Sequence, residues 1–254
     1  MSRLRRVPYL ERVSVVDDRV DDWSRFPYSL PFVKELSLAL TKPVTFLVGE
    51  NGSGKSTLLE GIAEICRLPV SGGSRNEIGE RHGPEAHSAL GSVLRPTFIR
   101  KPQDSYFFRA EFQAHFATLL EQRRDDPDFM GDPFAIYGGR SLHTRSHGEA
   151  FLAIMNRMRA GLFLMDEPES ALSPQRQLTL LATMAEMVAN GRTQFIIATH
   201  SAILLTFPGA EIISLDHAPP SSISLEETSH YQVTLGILKS PERYWKHLVA
   251  SRED

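Results

Sequence analysis

The chain has 254 residues, of which 41% are hydrophobic and 23% are charged, a balance typical of a globular protein with its own apolar core. Its formal net charge of −3 excludes a surface that attracts nucleic acid everywhere, and its single cysteine excludes an intrachain disulfide. Because no apolar run approaches the ~20 residues that cross a bilayer, we expect a cytoplasmic protein without an integral membrane segment.

The N-terminal third begins with short apolar runs separated by turn residues. Val13–Val16 and Phe32-Val33 are such runs, and they predict short antiparallel strands. The run Val44–Val48 is continuously apolar and rich in β-branched residues, which predicts a buried strand of a parallel sheet. Apolar residues at helical spacing then predict a helix from Ser56 to Arg67.

The rest of the chain alternates strand and helix patterns between two loops. Residues 69–92 and 125–145 are rich in turn residues and are predicted to be surface loops. The predicted elements are a strand within Leu94–Arg100, helices Arg109–Arg124, Glu149–Arg159 and Pro174–Asn190, and strands Gly161–Met165, Gln194–Thr199 and Glu211–Leu215. This alternation predicts an α/β fold with a mostly parallel central sheet.

A glycine-rich loop follows the strand Val44–Val48 and fits the pattern G-x-x-x-x-G-K-[ST] without a mismatch. Glycines let main-chain N–H groups turn toward phosphates, the lysine reaches the β- and γ-phosphates, and the last hydroxyl binds Mg²⁺. The pattern therefore predicts a P-loop that binds ATP. The predicted ATP-binding residues are Gly49, Glu50, Asn51, Gly52, Ser53, Gly54, Lys55, Ser56 and Thr57.

Two acids end the predicted strand Gly161–Met165. In a P-loop protein, an acid at the end of a neighbouring strand completes the Mg²⁺ shell, and we assign this role to Asp166 together with Ser56. The adjacent Glu167 is then placed to orient or deprotonate the attacking water. The sequence thus predicts nucleotide hydrolysis with Lys55 and Glu167 as catalytic residues.

Three further segments resemble motifs of ABC-type ATPases. Ser146-His147-Gly148-Glu149 resembles a degenerate ABC signature, and Pro168–Pro174 resembles the D-loop. The strand Gln194–Thr199 ends in His200, which resembles the switch histidine that contacts the γ-phosphate. No Asn-Lys-x-Asp motif is present, and this argues against a GTPase.

These segments make the chain resemble the small bacterial ABC-type ATPases of the AAA-family, SMC/RecF-like group. The matching segments are Val44–Ile62, Phe107–Glu111, Leu142–Phe151, Met165–Gln177, Gln194–Pro208, His230–Val233 and Pro241–Tyr244. The resemblance implies one ABC-type head domain over residues 1–254, in which residues 69–160 form a helical and loop subregion with the Q-loop and the signature.

The resemblance also implies a composite site in a head-to-head homodimer with ATP between the two copies. Ser146, Gly148 and Glu149 of one copy would close over the ATP held by Lys55 of the other, and His200 would contact its γ-phosphate. For the Q-loop residue that binds Mg²⁺ and ATP we favour Gln103, with Glu111 as the alternative. Trp23, Phe26 and Tyr28 are candidates for stacking on adenine, although a core role fits each of them equally well.

Three functions remain open from the sequence. The favoured one is a stand-alone ATPase whose closure on ATP acts as a switch in DNA maintenance or defence, with nucleic acid or an effector protein as partner. The second is the nucleotide-binding subunit of an ABC transporter, and the third is a non-enzymatic scaffold that depends on ATP.

Overall fold

The computed structural model describes residues 8–74, 87–102, 104–109, 113–127, 131–135, 139, 141, 144, 147–156 and 160–250. The strands are β1 Leu10–Val15, β2 Ser37–Ala39, β3 Val44–Val48, β4 Gly73–Ser74, β5 Leu94–Phe98, β6 Ser105–Arg109, β7 Gly161–Asp166, β8 Thr193–Ala198, β9 Glu211–Ser214 and β10 Ser221–Ile223. The helices are α1 Lys55–Ile65, α2 Ala89–Val93, α3 Gln113–Asp125, α4 His147–Met155, α5 Pro174–Ala189, α6 Ser229–Lys239 and α7 Pro241–Ala250.

A seven-stranded sheet with the order β10-β9-β3-β8-β7-β6-β4 forms the centre of the fold. The five inner strands are parallel, and β10 and β4 pair antiparallel at the two edges. Every residue of β3, β7 and β8 is buried, as strands covered on both faces must be. This sheet confirms the predicted α/β fold with a mostly parallel sheet.

Helices cover both faces of the central sheet because successive strand residues point to opposite sides. On one face, Leu47 of β3 packs in a cluster with Leu58 and Leu59 of α1. On the other face, Phe46 packs in a cluster with Met184 of α5 and with residues of α4. The strand alternation therefore creates two separate apolar cores.

A small antiparallel sheet of β2, β1 and β5 packs on the α1 side. The fully buried Gln194 of β8 joins it to the central sheet. Its Oε1 accepts hydrogen bonds from the main-chain N–H groups of Tyr9 (2.8 Å) and Leu10 (3.0 Å), and its Nε2 donates to Leu10 O (2.8 Å). One side chain thus satisfies three main-chain groups where the two sheets meet.

The predictions for the long, strongly patterned segments are confirmed, with ends that differ by a few residues. Three predictions are wrong. The predicted surface loop 69–92 contains the strand β4 and most of the helix α2, whose Leu90 is buried. Phe32-Val33 is a buried turn and not a strand, since both side chains pack in the core from a turn conformation. The helix predicted from Arg109 begins at Gln113, because Arg109 is the last residue of the unpredicted strand β6.

The chain ends, as far as it is described, in the helical hairpin α6–α7, which the periodicity analysis did not predict. The hydroxyl of Tyr244 in α7 packs on Gly236 of α6, where a Cβ atom would overlap it. Trp245 and Leu248 of α7 are exposed. Among the described residues, no helix combines the length and the apolar character that a membrane span requires.

Candidate active site

The loop between β3 and α1 has positive φ angles at its glycines. Gly52 and Gly54 have φ angles of +82° and +92°, in the left-handed region that glycine adopts freely. Gly54 also has no space for a side chain, since a Cβ there would lie 2.7 Å from Leu30 Cδ1 and 2.8 Å from a ring carbon of Phe32. Because α1 begins at the next residue, the unpaired N–H groups of its first turn face the loop.

Lys55 is buried at the start of α1. Its Nζ donates hydrogen bonds to the main-chain oxygens of Gly49 (2.8 Å) and Glu50 (3.0 Å). Burial lowers the pKa of Lys55, and the nearby carboxylates, Glu167 first, oppose this shift. The ammonium group therefore lies inside the loop, where phosphate oxygens can replace the two carbonyl oxygens as acceptors.

Ser56 and Asp166 meet beside this loop. The Ser56 hydroxyl donates to Asp166 Oδ1 over 3.0 Å. Burial raises the pKa of Asp166 to about 6, and the positive charge of Arg109 lowers it in part. A hydroxyl and a carboxylate are the hard oxygen ligands that Mg²⁺ takes, and a bound cation would offset the cost of burying this carboxylate. The pair therefore fits Mg²⁺.

The described residues contain no group of three or more His, Cys, Asp or Glu side chains that could hold a metal ion. Mg²⁺ in nucleotide sites needs no such group, because it binds one or two protein ligands, phosphate oxygens and water. A serine with one carboxylate is consistent with this mode of binding.

Arg109 lies next to Asp166 because the two residues are opposite each other in the parallel pair β6–β7. Its Nη1 bonds to Glu60 Oε1 over 2.7 Å, and its Nε lies 3.7 Å from Asp166 Oδ2. The guanidinium thus lies between two carboxylates. No role was predicted for Arg109 from the sequence, since this residue was expected to begin a helix.

Glu167 and His200 face each other at the ends of the neighbouring strands β7 and β8. Glu167 Oε1 is 3.6 Å from His200 Nε2, and the Glu167 side chain is half exposed. Glu169, in the 3-10 turn Pro168–Ala171, accepts the main-chain N–H of His200 over 2.5 Å. Burial lowers the pKa of His200 below its usual value.

The segment that resembles the ABC signature packs on the segment that resembles the D-loop in the same chain. Gly148 is buried, and a Cβ there would lie 2.9 Å from Ala171 O and 2.8 Å from Arg176 Nη1. Glu149 forms an ion pair with Arg176 over 3.1 Å. Ser146 lies outside the described residues. The start of α4 and the Pro168–Ala171 turn are therefore in direct contact.

Comparison with known proteins agrees with this geometry. An AAA-domain family model matches residues 28–107. A second AAA-domain model, whose description mentions the AbiEii toxin and a Type IV TA system, matches residues 149–206. The cytochrome c biogenesis ATP-binding export protein CcmA of Rhodospirillum rubrum is 30% identical over 179 residues, which is 68% of this chain and 74% of that protein. The chain belongs to the ABC-type ATPases.

Other relatives of this ABC-type ATPase include the hemin import ATP-binding protein HmuV of Enterobacter cloacae. It is 28% identical over 211 residues, 76% of this chain and 78% of that protein. Among solved structures, an SmcHead bound to the C-winged helix domain of ScpA is 12% identical, with a TM-score of 0.49 over 87% of this chain and 99% of that one. The relatives CcmA and HmuV, together with the P-loop, make the chain an ATP-binding P-loop ATPase.

The Q-loop candidates Gln103 and Glu111 both lie outside the described residues of this ABC-type ATPase. Asp104, the neighbour of Gln103, precedes β6, and its main-chain oxygen accepts from Leu162 N at the beginning of β7. Asp166 lies at the opposite end of β7. Gln103 and Glu111 both stay predictions from the sequence.

The three aromatic candidates for adenine stacking differ in exposure. Trp23 and Tyr28 are partly buried against the core on the α1 side, and the Tyr28 hydroxyl donates to Ala89 O over 3.2 Å. Phe26 is 71% exposed. Phe26 is the most exposed of the three.

Two residues near the site were missed by the sequence analysis. Asp216 follows β9, and its Oδ1 accepts the N–H of Glu50 in the P-loop over 2.8 Å. His230 of α6 has its Nε2 2.7 Å from His200 Nδ1. An acid directly after an apolar strand could have indicated Asp216. His230 lies in the segment His230–Val233, which carries part of the family resemblance but was given no role.

Proposed function

We propose that this ABC-type ATPase works as a homodimer that closes around two ATP molecules, and that closure acts as a switch. The observation that carries the proposal is the meeting of Lys55, Ser56, Asp166, Glu167 and His200 at the carboxyl edge of one sheet. A P-loop, an oxygen pair for Mg²⁺ and a half-exposed carboxylate are the parts that phosphoryl transfer to water needs.

The roles of the residues follow from their positions. Lys55 and the N–H groups of the loop from Gly49 to Thr57 would hold the phosphates. Ser56 and Asp166 would hold Mg²⁺, which would neutralise phosphate charge. Glu167 orients the attacking water and accepts its proton. His200 donates from Nε2 to a γ-phosphate oxygen, and Phe26 stacks on adenine.

The composite site is proposed from the resemblance to ABC-type ATPases. Gly148 and Glu149 contact the turn Pro168–Ala171 and Arg176 of α5. In the proposed dimer, Ser146, Gly148 and Glu149 serve the ATP of a second copy. A two-fold symmetric pair then contains two such sites.

The central test uses Glu167→Gln, which keeps the shape of the side chain and removes the proton acceptor. We expect ATP binding to be retained and kcat to fall by at least about 100-fold, since a general base contributes about 10²–10⁴-fold. Size-exclusion chromatography with ATP and Mg²⁺ should then show a stable dimer. Lys55→Ala is the control and should neither bind ATP nor dimerise.

The proposal would be overturned by a Glu167→Gln protein that hydrolyses ATP at the parental rate or stays monomeric with ATP bound. Specific activity against enzyme concentration gives an independent check. Because each site needs both copies, specific activity should fall on dilution below the dimer Kd, whereas a flat line would contradict a composite site.

Two roles for the closed dimer remain as candidates. The names of the relatives CcmA and HmuV, an export and an import ATP-binding protein, favour a subunit that drives a membrane transporter. A stand-alone switch in DNA maintenance or defence is the other role. Recovery of the ATP-trapped Glu167→Gln dimer with a detergent-solubilised membrane protein would support the first role, and recovery with nucleic acid would support the second.

A further inference from the structure

His230 is held in a fixed position at the start of α6. The side chain of Thr228, which caps this helix, accepts the N–H of Tyr231 over 3.2 Å. His230 follows Thr228 by two residues, so the cap fixes the turn from which its ring projects. The rings of His230 and His200 are 4.9 Å apart at an angle of 60°, with His230 Nε2 2.7 Å from His200 Nδ1. This distance is that of a hydrogen bond.

Each imidazole has one nitrogen in this contact and one outside it. His200 Nε2 and His230 Nδ1 are both buried, and neither has a hydrogen-bond partner within the described part of the chain. Burial lowers the pKa of both rings, and the charge of Lys55 lowers it further. Both rings are therefore neutral near pH 7, and each carries one proton.

Only one of the two rings can donate in the contact between them. If His200 donated from Nδ1, its Nε2 would present a lone pair to the carboxylate of Glu167 at 3.6 Å, and to any phosphate oxygen placed there. If His230 donates from Nε2, His200 accepts at Nδ1 and carries its proton on Nε2. The second arrangement directs an N–H toward negative charge, so it has the lower energy.

We propose that His230 is a positioning residue that fixes the Nε2–H tautomer of His200, so that this N–H faces the γ-phosphate of ATP. The inference rests on the proposed role of His200. It gives α6, which follows the central sheet in the chain, a part in the hydrolysis of ATP that acts through His200.

Two amide variants of His230 test the donor. Glutamine places its N–H₂ group near the position of the imidazole Nε2, whereas asparagine is shorter and places its amide near Nδ1. We expect His230→Gln to keep kcat within about three-fold of the parent and His230→Asn to lose about 10- to 100-fold, the usual effect of removing a group that orients a functional histidine. The Kd for ATP should be nearly unchanged in both.

Thr234→Leu provides the control for α6, because Thr234 is exposed one turn further along the same helix. The Thr234→Leu variant should hydrolyse ATP at the parental rate. Thermal melting of all three variants separates loss of folding from loss of the donor. Equal kcat for His230→Gln and His230→Asn would overturn the proposal, whichever value they share.

A double-mutant cycle tests whether His230 acts through His200. If it does, His200→Ala and the double variant His200→Ala/His230→Asn have the same kcat, because the second change has nothing left to act on. A further loss of 10-fold or more in the double variant would show a separate structural role and overturn the inference. The Glu167→Gln dimer assay is independent of this cycle, so failure of the proposed function is recognised separately.

Discussion

Glu167 has a backbone conformation that few non-glycine residues adopt. Its φ and ψ are 46° and 55°, in the left-handed region, directly after the last residue of β7. Such residues cost on the order of 1–3 kcal/mol and occur where the surrounding structure requires them, often at active sites. The sharp turn directs the carboxylate toward His200 while Asp166 stays buried in the sheet. Two adjacent acids thereby receive different environments.

Asp216 offers a test of how the P-loop is held. Asp216→Ala removes the acceptor for the Glu50 N–H, and we expect the Kd for ATP to rise about 2- to 10-fold, since one exposed hydrogen bond contributes ~0.5–1.5 kcal/mol. Asp216→Asn keeps an oxygen acceptor and removes a negative charge near the phosphates, so it should bind ATP at least as tightly as the parent.

Isothermal titration with a non-hydrolysable ATP analogue measures both variants, and the exposed neighbour His217→Ala is the control. Tighter binding by Asp216→Ala than by the parent would show that charge repulsion outweighs the anchoring of the loop, contrary to our expectation.

At the scale of elements, the contact between α4 and the D-loop is close enough to exclude a methyl group. Gly148→Ala would place its Cβ 2.9 Å from the main-chain oxygen of Ala171, which cannot move without the turn. We expect a loss of about 1–3 kcal/mol in stability, as for overpacked cores, and a fall in kcat. The Kd of the monomer for ATP should not change, because the P-loop is not touched.

Urea denaturation and nucleotide titration check the two parts of this prediction. Leu178→Ala, on the exposed side of α5, is the control and should leave both unchanged. A Gly148→Ala protein with parental stability and parental kcat would show that the Pro168–Ala171 turn shifts easily, and it would contradict this prediction.

At the scale of the whole molecule, Gln194 links the antiparallel sheet to the central sheet. Gln194→Leu would leave the N–H groups of Tyr9 and Leu10 and the oxygen of Leu10 without their side-chain partner in a buried place. At about 1–3 kcal/mol for each unsatisfied buried group, partly relieved by relaxation, we expect a loss of roughly 3–5 kcal/mol.

Chemical denaturation measures this loss. Gln175→Leu makes the same substitution at an exposed position of α5 and should change stability by less than about 0.5 kcal/mol. A loss below about 1 kcal/mol for Gln194→Leu would mean that water or a shifted strand replaces the lost partner.

Local sequence patterns predicted those parts of the fold and of the site that depend on residues close together in the sequence. The P-loop, the Asp166–Glu167 pair and the strands β3, β7 and β8 belong to this class, because burial on both faces requires apolar runs. The end of β6 could not be predicted, since Tyr106, Phe107 and Phe108 pack equally well in a helix. Pairing with β7 and β4 decides their conformation.

Contacts between distant parts of the chain were beyond local patterns. Asp216 contacts a residue 166 positions away and His230 a residue 30 positions away. Their partners follow from the strand order, which brings the ends of β3, β8 and β9 together. No short sequence motif predicts this strand order.

The helical hairpin α6–α7 connects His200 in the site to the exposed surface of α7. Helix α6 holds the ring of His230 against His200, and α7 carries the exposed Trp245 and Leu248. Tyr244 of α7 packs on Gly236 of α6. A hydrogen bond of 2.7 Å is lost when its donor moves by little more than 1 Å. Small displacements of α7 would therefore change kcat.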